Sequence, residues 1–123
     1  MALFDQLPIY KATYDFSIRI LHVVTHFPRE YKYTLGQKLQ DQALDLIIHI
    51  YRVNSARDKV NLLMEMEEKI QVLYLLLRVS RDMKLISIEA FASIVEMVDA
   101  ISVQAKGWQK ASEKVRESVK STD

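Results

Sequence analysis

The sequence predicts an all-α protein folded as an up-down antiparallel four-helix bundle, and three observations predict it. Apolar residues recur in alternating steps of three and four along most of the chain, the period of a helix with one packed face. Only two glycines and two prolines occur in 123 residues, against a usual frequency of roughly 7% and 5%. Tight turns are therefore few, which disfavours an all-β fold or a glycine-rich nucleotide loop. Break signals fall at three places, near Pro28, at Asn54-Ser55 and between Lys84 and Ser87, and they divide the chain into four periodic runs. Half of the residues are hydrophobic, enough for one core and one domain over residues 1–123.

The first helix is expected over residues 7–27. Tyr10, Tyr14, Leu21 and Val24 line one stripe, Phe16, Ile20, Val23 and Phe27 an adjacent one, and Pro28 stops the run. Residues 29–33 form a polar and aromatic connector. The second helix, 34–54, opens on Thr34 with Gln37 three residues later, the spacing of a capping box. Leu35, Leu39, Ala43, Leu46, Ile50 and Val53 make its seam. Leu44, Ile47, Ile48 and Tyr51 add a second apolar face, leaving one polar line through Lys38, Asp41, Asp45, His49 and Arg52.

A short link predicts an antiparallel third helix over 56–84, with Val60, Leu63, Ile70, Leu73, Tyr74 and Leu77 inward. Val72, Leu75, Leu76 and Val79 are expected to point away from that face. At ~25 cal/mol per Å² of apolar surface, leaving such a face wet forfeits several kcal/mol. One bundle cannot cover both sides, so these four residues are the expected homo-oligomer interface. The fourth helix is expected over 87–108 or longer, capped by Ser87 with Glu89 in its first turn. Gly107 marks an end or kink, and the polar tail 111–123 either extends the helix weakly or frays.

The bulk numbers narrow the function classes. Seventeen basic residues face sixteen acidic ones, a net charge of +1, so no overall polyelectrolyte character dictates a nucleic-acid or membrane partner. The absence of cysteine excludes a disulfide framework or thiolate zinc site and fits a reducing cytoplasm. Residues 1–10 carry an acid and no basic n-region. The longest apolar run, 72–77, is six residues, against the ~20 that span a bilayer. A soluble cytoplasmic protein is expected.

Residue constellations for catalysis or metal binding are thin. His22 and His26 stand four apart but lack the glutamate of H-E-x-x-H, and read as two partly exposed helix histidines. Facing Glu-x-x-His pairs, as a di-metal carboxylate bundle needs, do not occur. Asp45 and His49 are also four apart, yet no nucleophile is tied to them, and they read as an exposed pair on the polar line. Gly36 and Gly107 stand alone, so no phosphate cradle forms. The expectation is a non-enzyme without cofactor or metal. Basic residues carry more signal: Arg78, Arg81 and Lys84 near the end of the third helix, Arg57 and Lys59 around Asp58, and Lys106 and Lys110 beside Trp108. Arg78, Arg81 and Lys84 also complement a helix C-terminus.

Several of these segments together resemble a known family. Phe27-Pro28-Arg29, then Tyr33-Thr34-Leu35-Gly36-Gln37-Lys38-Leu39-Gln40-Asp41, Ala56-Arg57-Asp58-Lys59, Leu75-Leu76-Leu77-Arg78 and Gly107-Trp108 are similar to the accessory variability determinant proteins of diversity-generating retroelements. These form a branch of the four-helix-bundle family first noted in intervening sequences of 23S ribosomal RNA genes. The resemblance implies a barrel-shaped homopentamer that binds the element's reverse transcriptase. It also implies contact with template RNA or cDNA, during copying that is mutagenic at adenines. Within it, Arg57, Lys59, Arg78, Arg81, Lys84, Lys106 and Lys110 are the expected phosphate or polymerase contacts. The alternative is a stand-alone bundle of the intervening-sequence type, without a polymerase partner. Family members are often strongly basic; a chain of +1 is expected to bind nucleic acid weakly and with steep salt dependence.

The apolar outer face of the third helix sets the first prediction. Light scattering at low micromolar concentration should give a mass of several chains, and a clean single-chain mass would overturn the oligomer.

Overall fold

Four long helices carry the chain in the computed structural model, which describes residues 3–121. A 3-10 turn, Phe4–Gln6, leads into α1 (Pro8–Val24); α2 is Gln37–Ser55, α3 Val60–Asp82 and α4 Ile88–Ser121. The described residues contain no strand, in keeping with the all-α expectation.

Contacts distant in sequence fix the helix directions. Phe4 meets Tyr51 edge-on with ring centroids 5.4 Å apart, and the Ser17 hydroxyl donates to the Ala43 carbonyl at 3.2 Å. Rising numbers on α1 thus meet falling numbers on α2. Lys69 donates to Asp45 at 2.6 Å while His49 reaches the Leu62 carbonyl, which makes α2 and α3 antiparallel. Tyr74 with Asp99, and Arg81 over the Phe91 ring, do the same for α3 and α4. Arg19 of α1 donates to Ser93 of α4 at 3.2 Å and closes the square. The core between them is a continuous cluster that includes Phe16, Ile20, Leu46, Ile50, Leu73 and Ile101, all fully buried.

The connection between α1 and α2 departs from expectation. Helix α1 ends at Val24, three residues early, although Phe27 beyond it is still buried. From Arg29 the chain winds on without a break, through a helical turn (Arg29–Tyr31) and a π-helical turn (Lys32–Gly36), into α2. The Thr34 hydroxyl donates back to the Glu30 carbonyl at 3.1 Å and the Gln37 amide to Asp41 at 3.0 Å. No capping box forms, because Thr34 lies inside a helix and its neighbouring N–H groups are not at a helix start. Packing explains the continuity. Gly36 is buried so tightly that a Cβ there would lie 2.7 Å from Val24 Cγ1 and 3.3 Å from Phe27 Cδ2. The π turn absorbs the extra residue that this seat requires.

Other termini use ordinary devices. Lys59 donates to the carbonyls of Val53, Asn54 and Ala56 at 3.0, 3.2 and 2.5 Å, covering the C-terminal end of α2. Asp58 accepts the Val60 N–H at 3.2 Å and caps α3. The α3 terminus is a Schellman motif: Lys84 N–H donates to Arg81 O at 2.9 Å, Leu85 N–H to Ser80 O at 2.8 Å, and Lys84 takes φ 61°. Ser87 caps α4 as its position predicts, accepting the Ala90 N–H at 3.0 Å.

Two placements correct the sequence reading and one decides between its alternatives. Residues 111–121 continue α4, the longer of the two expected extents, while 122 and 123 lie outside the described residues. Gly107 does not end the helix, and Arg116 ties the extension to Asp58 at 2.7 Å. Leu76 sits at 9% exposure within the core, because its side of α3 turns towards the bundle interior; Val72, Leu75 and Val79 remain outside. Tyr14, expected inward, is nearly half exposed beside Tyr10 on the outer flank of α1.

The seat of Gly36 yields a stability prediction. Gly36→Ala should destabilise the fold by about 1–3 kcal/mol through overpacking against Val24, measured by urea unfolding. Equal or higher stability would show that the α1–α2 connection is not tightly seated.

Candidate functional site

The up-down path gathers the connections into two ends. At one end lie the 25–36 segment and the α3–α4 turn; at the other, the N-terminal turn, the α2–α3 link and the end of α4. Charge is segregated along the same axis. In the middle turns of the four helices (12–21, 39–49, 63–74 and 93–102), eight carboxylates face only two cations, Arg19 and Lys69. The first end (22–38 and 75–92) carries six cations against three carboxylates. The second end (3–11, 50–62 and 103–121) carries nine against four. A net charge of +1 therefore describes an acidic waist between two basic ends.

Of the basic residues singled out by sequence, Arg78, Arg81 and Lys84 fall at the first end, and Arg57, Lys59, Lys106 and Lys110 at the second. They do not form one site within a protomer. Arg57, Arg78, Lys84, Lys106 and Lys110 are exposed and make no side-chain hydrogen bond or ion pair among the described residues. Two are committed elsewhere. Lys59 is spent on the three carbonyls at the end of α2. Arg81 lies 4.6 Å from the Phe91 ring centroid and donates to Asp82 at 3.0 Å. Both act first as structural cations.

His49 needs correction. It is 1% exposed, not on a wet polar line, and its Nε2 lies 2.6 Å from the Leu62 carbonyl of α3. Its Nδ1 has no hydrogen-bond partner among the described residues, and neither has the buried Thr13 hydroxyl oxygen. Asp45 pairs with Lys69 rather than with His49. No catalytic pair exists at this place. His22 and His26 are exposed on α1 and its following turn, and no three His, Cys, Asp or Glu among the described residues could hold a metal together.

Two polar contacts had no signal in local sequence. Tyr74 donates its hydroxyl to Asp99, and burial together with that carboxylate pushes the phenol up to about 12. The Arg116 guanidinium, with the Val60 N–H, holds Asp58 below the usual carboxylate range. Each joins residues 25 or more positions apart, so only the fold could show them.

Exposed apolar surface is the other feature of note. On α3, Val72, Leu75, Val79 and Met83 follow steps of three and four, with Leu75 at 59% exposure. On the α1–α2 side, Tyr14, Ile18, Leu44, Ile48 and Tyr51 are exposed next to the Phe4–Tyr10 ring pair. No helix among the described residues is long and apolar enough to cross a membrane.

A family model described as bAvd-like matches residues 7–112, from the start of α1 almost to the end of α4. The chain belongs to that family. It is the accessory variability determinant family, as the segments around Phe27, Thr34 and Trp108 imply. No curated protein matches the chain in a sequence comparison. The bAvd-like match includes the first basic end, the acidic waist, both apolar faces and six of the nine cations of the second end, and stops within the extension of α4.

Tyr74 gives a prediction whose sign is fixed. Its phenol is raised on folding, so the stability it contributes is present below pH 10 and is lost as pH climbs through about 12. Unfolding midpoints measured from pH 9 to 12 should fall more steeply in the parent chain than in Tyr74→Phe. Parallel curves would rule out the Tyr74–Asp99 bond as a contributor.

Proposed function

We propose that the protein is a non-catalytic, oligomeric adaptor of a diversity-generating retroelement, holding the reverse transcriptase and its template RNA or cDNA during mutagenic copying. Membership of the accessory variability determinant family carries this reading. The fold supports it in two ways. The exposed Val72–Leu75–Val79 stripe supplies the kind of surface that copies of a chain bury in a homo-oligomer. In a ring, whose number of five comes from the family resemblance alone, the basic ends of the protomers would add into positive rims.

The division of labour follows from the chemistry. Exposed apolar and aromatic patches suit protein contacts, with the chain itself and with the polymerase. Exposed lysines and arginines suit phosphate, and their contribution falls with rising salt, because counterions released into a more concentrated solution gain less entropy. Among the basic residues, Arg57, Arg78, Lys84, Lys106 and Lys110 are available for such contact, whereas Lys59 and Arg81 would have to give up bonds inside the protomer.

Co-expression with the polymerase of the same element tests the reading. The two proteins should co-purify through gel filtration at moderate salt, with several copies of this chain per polymerase. A well-folded chain that elutes apart from the polymerase under these conditions would sink the adaptor role.

A further inference from the structure

The second end of the bundle holds an aromatic hollow with a carboxylate rim. Phe4 and Tyr10 stand with ring centroids 4.6 Å apart, Tyr10 and Tyr14 5.9 Å apart, and Phe4 meets Tyr51 edge-on. Beside these rings Asp5, Tyr10, Lys11, Tyr14 and Asp15 line an open hollow of about 190 Å³. Small-molecule sites run to ~300–1,000 Å³, so this one admits a single side chain rather than a cofactor. Lys11 is held on Asp15 at 3.1 Å, a neutral pair. Asp5 is exposed and makes no side-chain hydrogen bond or ion pair among the described residues. Ring faces beside an unbalanced carboxylate attract a cation. Arginine suits them best, because its guanidinium stacks on a ring while donating to a carboxylate. The cation–ring contact among the described residues is Arg81 over Phe91, at the opposite end.

The levels of the helices indicate where such an arginine comes from. The apolar surplus lies on two faces, the α1–α2 side and the outer side of α3, which is diagonal to α1. A contact that buries both at once is heterologous, the first face of one copy on the second face of the next. Rotation about an axis along the bundle keeps each residue at its own height, so facing residues must match in level. They do. Ser17 meets Ala43 and Asp45 meets Lys69, which sets Ile18 and Leu44 within a turn of Val72. His49 meets Leu62, which sets Ile48 level with Met64, also exposed on α3. Below them the hollow lies level with the α2–α3 link. Of the arginines at this end, Arg116 is spent on Asp58, and Arg52 stands on α2, the receiving side. Arg57, at the foot of α3, is exposed and makes no side-chain bond among the described residues.

We propose that copies of this chain pack heterologously, all pointing the same way, with Arg57 of the next copy seated in the hollow of Asp5, Tyr10 and Tyr14. The α1–α2 face of one copy then covers the α3 stripe of its neighbour, and the hollow is complete only in the assembly. The inference rests on the oligomeric adaptor reading and adds to it the two faces and the residue that joins them. In the ring Arg57 is a protein contact.

The sequence contains no cysteine, so disulfide trapping tests the contact directly. Chains carrying Asp5→Cys and chains carrying Arg57→Cys, refolded together and oxidised with copper phenanthroline, should give a cross-linked pair on a non-reducing gel. Absence of that pair at a concentration where both variants assemble would overturn the inference and leave the adaptor reading standing. Arg57→Asp and Asp5→Arg should each raise the concentration at half assembly, read by light scattering, about three- to thirty-fold. Combining the two exchanges should return it towards the parent value, with helicity unchanged throughout because both positions are exposed. Single variants that assemble like the parent, or a double variant no better than the singles, would overturn it. Tyr14→Phe should assemble as the parent does and Tyr14→Leu more weakly; a leucine as good as tyrosine would show a merely apolar contact and overturn the arginine seat. A parent chain that stays single would remove this inference together with the oligomer, while co-purification with the polymerase still judges the adaptor role.

Discussion

A four-helix bundle can bury one side of each helix, and α3 is apolar on more than one. Leu63, Met66, Ile70, Leu73 and Leu77 are spent on the core, and Leu76 at its margin, yet Val72, Leu75, Val79 and Met83 remain outside. At ~25 cal/mol per Å², this leftover surface is a driving force without an intramolecular outlet. Helices α1 and α2 have a similar surplus in Tyr14, Ile18, Leu44, Ile48 and Tyr51. The two surpluses lie on different helices. If copies of the chain bury these faces against one another, its stability depends on chain concentration.

The helical architecture was legible because it follows from period and punctuation, which are local. Seams such as Leu39, Ala43, Leu46, Ile50 and Val53 are buried as their spacing says. The failures have one cause, a partner far away in sequence. Thr34 and Gln37 have the right spacing for a capping box, but the seat of Gly36 under Val24 and Phe27 keeps the chain helical before them. His49 lies on a polar line by period, yet the Leu62 carbonyl of the next helix gives its imidazole a buried place. The 111–121 stretch is no such failure: its few apolar residues leave extension and fraying both open in sequence, and Glu113, Lys114, Arg116 and Glu117, with Asp58 anchoring Arg116, decide for the helix. Leu76 was ambiguous at the boundary between two faces, where period cannot decide.

The candidate surface was half legible. The individual lysines and arginines could be chosen from sequence, since spacing of three or four puts them on a common face. Their grouping could not, because it depends on which connections share an end. The same topology shows that net charge was a poor guide to this molecule. Eight carboxylates in the middle turns offset most of the excess of cations at the two ends. Beyond a Debye length of about 8 Å at physiological salt, a partner at one end is shielded from the waist and meets mainly the local charge.

The fold uses some of the basic residues in hydrogen bonds and leaves others without one among the described residues. The basic side chains that the fold uses, Lys59 on three carbonyls and Arg116 on Asp58, lie close in sequence or space to others that it does not use, Arg57 and Lys110 among them. Charge type alone does not separate the two sets; hydrogen-bond bookkeeping does. A cation that closes a helix end is removed at the cost of unsatisfied carbonyls, and its loss would mimic a binding defect by loosening the α2–α3 link. A cation with no internal partner can be changed with little effect on folding. The residues most informative about partners are therefore those whose presence a single chain does not explain: the outer stripe of α3, and Lys106 and Lys110 of α4, which pair with no carboxylate among the described residues.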